Sequence, residues 1–406
     1  MVARVTLIVD APLPSRDRER FGVDFLRRRG FPIEVWAVHR IFQPRHDHVE
    51  PDVEGIIYRD LASHAELADV VGCLTEDSVV ICLCGMLVGQ EPQYGALRDL
   101  LLSSPARLGA VSAGSRPPRS PNVALPTTRV RLARAWTEVK SGRMSARAAL
   151  RRISVVVRES LGGEKPQLAS RERVLDWAWT GPGPDVIDST LVGPVTTVRV
   201  LHSWDYDSEL RNPVRGESRS GIVFIESMGP LHPDFEVLRL FPYLTPEVWF
   251  SYVTSELATI EQRVGEPIVI AAHPRARDGE LDSWYPGFHV TYGKSRDLIA
   301  HARLVLAAEP STALGFCAMY ETPALLLRPP RAFPDHLEDL ASYEESMGLA
   351  TVSAREFPSD WERLSAPGDK REKFLSLCIR NPNAPRKLFW ETVAEDILSD
   401  SRAGVG

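Results

Sequence analysis

Short, largely apolar runs separated by helix-length stretches constrain this chain more than any other feature. The runs include Arg4 to Asp10, Ile33 to Val38, Ser78 to Cys84, Arg107 to Ser112, Gly221 to Glu226, Ile268 to Ala272, Leu304 to Ala308 and Pro323 to Leu327. None alternates strictly between apolar and polar residues. A strand that is apolar on both faces belongs in a parallel sheet covered by helices on both sides. The intervening stretches have helical length: Arg16 to Arg29, stopped by Gly30, then Leu61 to Leu74, Gln93 to Ser103, Pro246 to Val264, Ser295 to Ala302 and Ser311 to Tyr320. Ser295 is placed to cap its helix, with Asp297 in the first turn. Strand-helix alternation of this kind defines an α/β protein.

The alternation is interrupted twice. Residues 113–128 are rich in Pro, Ser and Arg and read as a loop. Residues 129–161 read as a basic helix, with Arg129, Arg131, Arg134, Lys140, Arg143, Arg147, Arg151 and Arg152. Such a charge run is a solvated face or a contact with a membrane surface or polyanion. A helix around Ser170 to Trp177 and a strand near Thr196 to His202 follow. Trp204 to Ser220 is polar and turn-rich and marks a domain boundary. The expected architecture is two Rossmann-like domains with parallel sheets facing across a cleft. The first covers 1–205 and the second 206–384, and a last helix in 385–406 crosses back to the first.

With 44% apolar and 25% charged residues over 406 positions, the chain is globular rather than disordered. A net charge of -6 argues against a nucleic-acid binder, which needs a basic surface. No run of about 18 apolar residues offers a membrane span. Met1 to Asp10 reads as a first strand rather than a signal peptide. Five scattered cysteines read as free thiols in a reducing, cytoplasmic setting. Cys82-Leu83-Cys84 lacks a second ligand pair and His46-Asp47-His48 lacks a third ligand, so neither reads as a metal site.

His273-Pro274-Arg275 follows an apolar run, which puts His273 at the carboxyl end of a strand, the ligand edge of open α/β sheets. Its imidazole can give or take a proton near neutral pH. Pro274 biases His273 toward extended backbone. Arg275 adds a forked donor suited to phosphate. After a later strand come Glu309-Pro310-Ser311-Thr312. Hydroxyls beside the free N–H groups of a helix start make a phosphate seat, and Glu309 suits ribose hydroxyls. The segment Glu226 to His232 leaves another strand; Glu226 and His232 are candidate site groups, and Gly229 lets backbone approach a ligand. In the first half, Asp10 and Glu91 follow strands and are placed to take a proton from an acceptor hydroxyl. Each residue also has a plain structural reading as strand end, cap, turn or solvated acid.

These residues carry a resemblance. Ile222-Val223-Phe224-Ile225 with His232-Pro233-Asp234, the helix containing Ile260-Glu261, Val269 to Arg275, Tyr292-Gly293, Asp297-Leu298-Ile299 and Ser311-Thr312-Ala313 together resemble bacterial surface-polysaccharide glycosyltransferases. The wider group includes the sialyltransferases and polysialyltransferases with a His-Pro motif. Phe21 to Leu26 and Gly30-Phe31 fit it more loosely. The resemblance implies a GT-B fold with a CMP-sugar or UDP-sugar donor on the second domain. His273 would contact the donor phosphate or act as acid toward it. Ser311 and Thr312 would hold the phosphate, with Pro274, Arg275, Glu309, Glu226 and Gly229 around the nucleotide. The sialyltransferases' Asp-Asp-Gly or Glu-Asp-Gly run is missing from this sequence, so the base falls to Glu91 or Asp10. The resemblance further implies no metal and no cofactor, a glycan or lipid-linked acceptor, and work in the cytoplasm, with the basic 129–152 segment offering contact with the inner face of the membrane. A nucleotide-sugar epimerase of the same fold and a non-catalytic glycan- or partner-binding module are the alternatives.

Overall fold

The computed structural model describes residues 4–13, 15–42, 51–83, 94–114, 174–183, 189–214, 218–232, 244–328, 334–364 and 368–403, with positions 117 and 187. These residues build two parallel sheets. Strands β1 (Arg4–Val9), β2 (Ile33–Ala37), β3 (Ile57–Asp60), β4 (Ser78–Cys82), β5 (Arg107–Ser112), β6 (Trp177–Thr180) and β7 (Thr197–Val200) form the first. Its order is β3-β2-β1-β4-β5-β6-β7. Strands β8 (Ile222–Ile225), β9 (Ile268–Ala271), β10 (His289–Thr291), β11 (Leu304–Ala307), β12 (Ala324–Leu327) and β13 (Ala350–Val352) form the second. Its order is β10-β9-β8-β11-β12-β13. In both, the chain runs outward from a central strand, returns, and runs the other way. The reversal lies between β1 and β4 and between β8 and β11, and a crevice opens at the carboxyl ends of such a pair.

Helices cover both faces of each sheet. In chain order they are α1 (Ser15–Arg20), α2 (Val23–Arg28), α3 (His39–Phe42), α4 (His64–Gly72), α5 (Gly95–Ser103), α6 (Trp204–Arg211), α7 (Pro246–Val264), α8 (Ser295–His301), α9 (Leu314–Tyr320), α10 (Pro334–Met347), α11 (Gly368–Phe374) and α12 (Phe389–Ala403). Alternate residues of one strand feed opposite cores. Val5, Leu7 and Val9 pack with Leu26 of α2 and with Trp390 and Val393 of α12, while Ile8 joins Leu67 of α4 and Leu97 of α5. In the second sheet Ile222 and Phe224 lie under Phe250, Val253 and Leu257 of α7. Val223 and Ile225 face Ile299, Leu314, Tyr343 and Phe374. No described helix is long and apolar enough to cross a membrane. Cys73 is exposed, Cys82, Cys317 and Cys378 are buried, and all four are free thiols.

Several local expectations need correction. Arg16 to Arg29 is two short helices, not one. Gly22 (φ 65°) breaks it, because a Cβ there would lie 2.2 Å from Cγ of Trp390. Trp177 starts a strand instead of ending a helix. Trp204 to Ser220 opens with α6 rather than with turns, capped by Ser203, whose hydroxyl accepts from Tyr206 N. This polar helix bonds in both directions. Both Asp207 oxygens accept from Phe389 N at 2.9 Å, and Arg211 reaches Glu19 at 2.8 Å. On the other side Arg296 donates to Ser208 O at 2.7 Å and Tyr320 to Glu209 at 2.6 Å. The basic 129–152 segment lies outside the described residues.

Candidate active site

The carboxyl edge of the second sheet collects most of the residues singled out by sequence. Glu226 directly follows β8 and Glu309 lies just past β11, so the two acids flank the reversal point of the sheet. Both are buried, at 1% and 9% exposure. The hydroxyl of Ser227 donates to Glu309 Oε2, so a side-chain clasp joins the two lips of the crevice. Glu226 Oε2 accepts from Met228 N, and Glu226 Oε1 lies 3.2 Å from the Tyr285 hydroxyl. Burial, reinforced by the nearby Glu309 charge, pushes the Glu226 carboxyl up to about 8. Burial also holds the Tyr285 phenol well above its ordinary range.

The Met228 bond fixes an uncommon turn. Met228 is left-handed at φ 67° and Gly229 follows at φ 43°. Gly229 does not leave room for a ligand, as its sequence suggested. The indole of Trp249 occupies that space: a Cβ on Gly229 would stand 2.3 Å from Trp249 Nε1. The turn ends at His232, whose ring meets that of His273 edge-to-face, centroids 4.9 Å apart and planes at 72°. His273 follows β9. Its Nδ1 accepts from Arg275 N at 3.2 Å, which places the proton of the neutral ring on Nε2. Both imidazoles are half-buried, whereas Pro274 and Arg275 are exposed.

Two helix starts differ from expectation. Ser295 is the first helical residue rather than the cap, and its hydroxyl donates to Ala272 O at 3.3 Å, tying α8 to the strand end before His273. Ser311 and Thr312 precede α9 instead of opening it. Ser311 Oγ accepts from Ala313 N at 3.2 Å, and Leu314 and Gly315 donate to the Ser311 and Thr312 carbonyls, making a tight turn before the helix.

In the first sheet, Asp10 follows β1 beside the reversal point and is half-buried. Glu91 and His46-Asp47-His48 lie outside the described residues. Arg18 is structural: its guanidinium is buried against Asp24 and Asp52 and bonds the Glu54 carbonyl. The sequence reading missed Ser227 and Tyr285, which complete the clasp. Ser227 adjoins a named acid, but Tyr285 stands 59 positions from its partner and carries no local signal. Chemically, this edge of the second sheet offers imidazole and hydroxyl groups suited to an anion, while Glu226 and Glu309 are buried and already hydrogen-bonded.

Two doubly wound sheets of this order, with a final helix packed on the first, define a GT-B fold. The chain is similar to the wall teichoic acid polymerase TagF at 11% identity and a TM-score of 0.50, covering 100% of this chain and 90% of that one. It is also similar to the calicheamicin glycosyltransferase, at 13% identity and a TM-score of 0.47 over 99% and 97% of the two chains. A UDP-N-acetylglucosamine 2-epimerase from Rickettsia bellii matches at 10% identity and a TM-score of 0.44 over 98% and 97%. Likeness at such identity speaks to the fold. No family model and no curated sequence matches the chain.

Proposed function

We propose that the chain is a metal-independent glycosyltransferase that moves a sugar from a CMP- or UDP-linked donor to a surface glycan or lipid-linked acceptor. The carrying observation is the buried clasp of Glu226, Ser227 and Glu309 at the reversal point of the second sheet, with His273 on the same edge. In this reading 206–384 binds the donor, 1–205 presents the acceptor, and 385–406 closes back on the first domain. His273, Arg275 and the Ser311-Thr312 turn meet the donor phosphate. Pro274 sets the direction of the His273 backbone, Glu309 faces the ribose, and Glu226 with Gly229 supports the loop beside it.

Asp10 or Glu91 takes the acceptor proton as the acceptor oxygen bonds the anomeric carbon. The bond from that carbon to the donor phosphate oxygen breaks, and its electron pair stays on the phosphate. Donors fixed at that edge stabilise the growing charge without reorganising.

A thermal-shift panel of CMP, CDP, UDP, GDP and ADP tests the reading. A ligand that binds only the folded state raises the melting temperature. The expected result is a rise with one nucleotide that shrinks in His273→Ala. No rise with any of the five overturns the donor site.

A further inference from the structure

We propose that His232 is a second phosphate-directed imidazole that acts together with His273 on the departing phosphate. This role rests on the donor-site reading above. The two rings come from the ends of neighbouring paired strands, β8 and β9, with Ile225 opposite Ala271. They meet edge-to-face at 4.9 Å.

His232 is delivered by a turn whose backbone is costly and whose bracing is buried. A non-glycine residue stays left-handed only where its surroundings hold it, and such positions gather at functional sites. Here Glu226 holds the Met228 N–H, Leu231 N donates to Met228 O at 2.8 Å, and His232 N donates to Gly229 O at 3.1 Å. Gly229 is seated on the buried Trp249. Glu226 and Met228 are thus positioning residues, and the half-buried tip they position is an imidazole.

The chemistry of the pair favours an anion. With Nδ1 accepting from Arg275 N, the donor of the His273 ring is Nε2–H, and phosphate oxygens accept from ring N–H groups of this kind. When the sugar leaves, the electron pair of the broken bond stays on the phosphate oxygen. One ring N–H from each histidine then faces that charge and keeps its proton, while the acceptor proton goes to the first-domain acid.

Inorganic pyrophosphate is the probe. Calorimetric titration of the full chain should show binding weakened roughly tenfold or more in His232→Gln and likewise in His273→Gln, the size of a lost charge-assisted hydrogen bond. The double variant should lose less than the product of the two, because both rings act on one ligand. The Cε1–H resonances of both histidines should move on binding, and that of His232 should still move in His273→Gln, a change that a structural role for His232 would not produce. Unchanged melting temperature in His232→Gln separates loss of contact from loss of fold. Wild-type affinity in His232→Gln, movement of the His273 signal alone, or no pyrophosphate binding by the wild type overturns the pair. If both signals move while no nucleotide raises the melting temperature, the paired anion site stands and the donor reading falls.

Discussion

Glu226 ends a strand in a place water does not reach. With its carboxyl pushed up to about 8, it holds its proton at neutral pH. The Tyr285 hydroxyl donates to its Oε1 and Met228 N to its Oε2. Its folded value lies above the ordinary 4.5, so its contribution to stability is complete below the unfolded value and is lost as pH rises toward about 8. Glu226→Gln copies the neutral form. Urea unfolding should find the variant matching wild type near pH ~5 and more stable near pH ~8.5, by on the order of 2–4 kcal/mol. A variant weaker at both pH values would show that the ionised acid is the native species. Ser227→Ala removes a donor from the buried Glu309 and should cost about 1–3 kcal/mol in the same assay. Sequence placed Glu226, Glu309 and His273 on this edge because each follows an apolar run. The filling of Gly229 by Trp249 was not legible, since that contact joins a loop to a helix through space alone.

At the scale of elements, the break between α1 and α2 shows how one distant side chain overrides local helix propensity. Trp390 of α12 presses on Gly22 and donates its Nε1–H to Arg20 O at 2.8 Å. Gly22→Ala would place a methyl inside that indole at a left-handed backbone position. A loss of about 1–3 kcal/mol is expected. Trp390→Ala should lose about 3–5 kcal/mol. Because the two share one contact, the double variant should be less damaged than the sum, which denaturant titration of all three would show. The helix Pro246–Val264 was legible to the residue, because Pro246 starts it and the left-handed Gly265 ends it. The strands Ile57–Asp60 and Ala350–Val352 were not. They are short edge strands whose exposed positions mix polar and apolar residues, and pairing rather than burial defines them.

Over the whole molecule, buried acids set how stability responds to pH. Asp207, on the connecting helix, is pushed up to about 7 by burial while it caps α12. Like Glu226, it favours the fold most at low pH and loses that contribution as pH rises, here from the ordinary 3.8 toward about 7. Arg18 holds the Asp24 carboxyl below its ordinary range, and that contribution is instead lost in acid. Scanning calorimetry from pH ~3 to ~9 should therefore place the highest melting temperature near pH ~5 and show a fall toward pH ~8, a fall that flattens in Glu226→Gln with Asp207→Asn. A wild-type profile flat across the neutral range would rule this out. The two parallel sheets were legible from the apolar runs, but their strand order was not, because it depends on which strands pair in space. The connecting helix was not, because its polar residues look solvated until the bodies on either side of it are in place.

The packing of α12 on the first sheet has a consequence in time. Roughly 190 residues separate β7 from α12, which at ribosomal speed is on the order of 10–40 s of synthesis. Throughout that interval Val5, Leu7, Val9 and Trp179 lack the cover of Trp390, Val393 and Ile397 that they have in the finished molecule. The half made first is completed last. A nascent chain stalled before Phe389 should therefore expose a sticky apolar face and recruit chaperones, until the final turns of helix emerge and seal it.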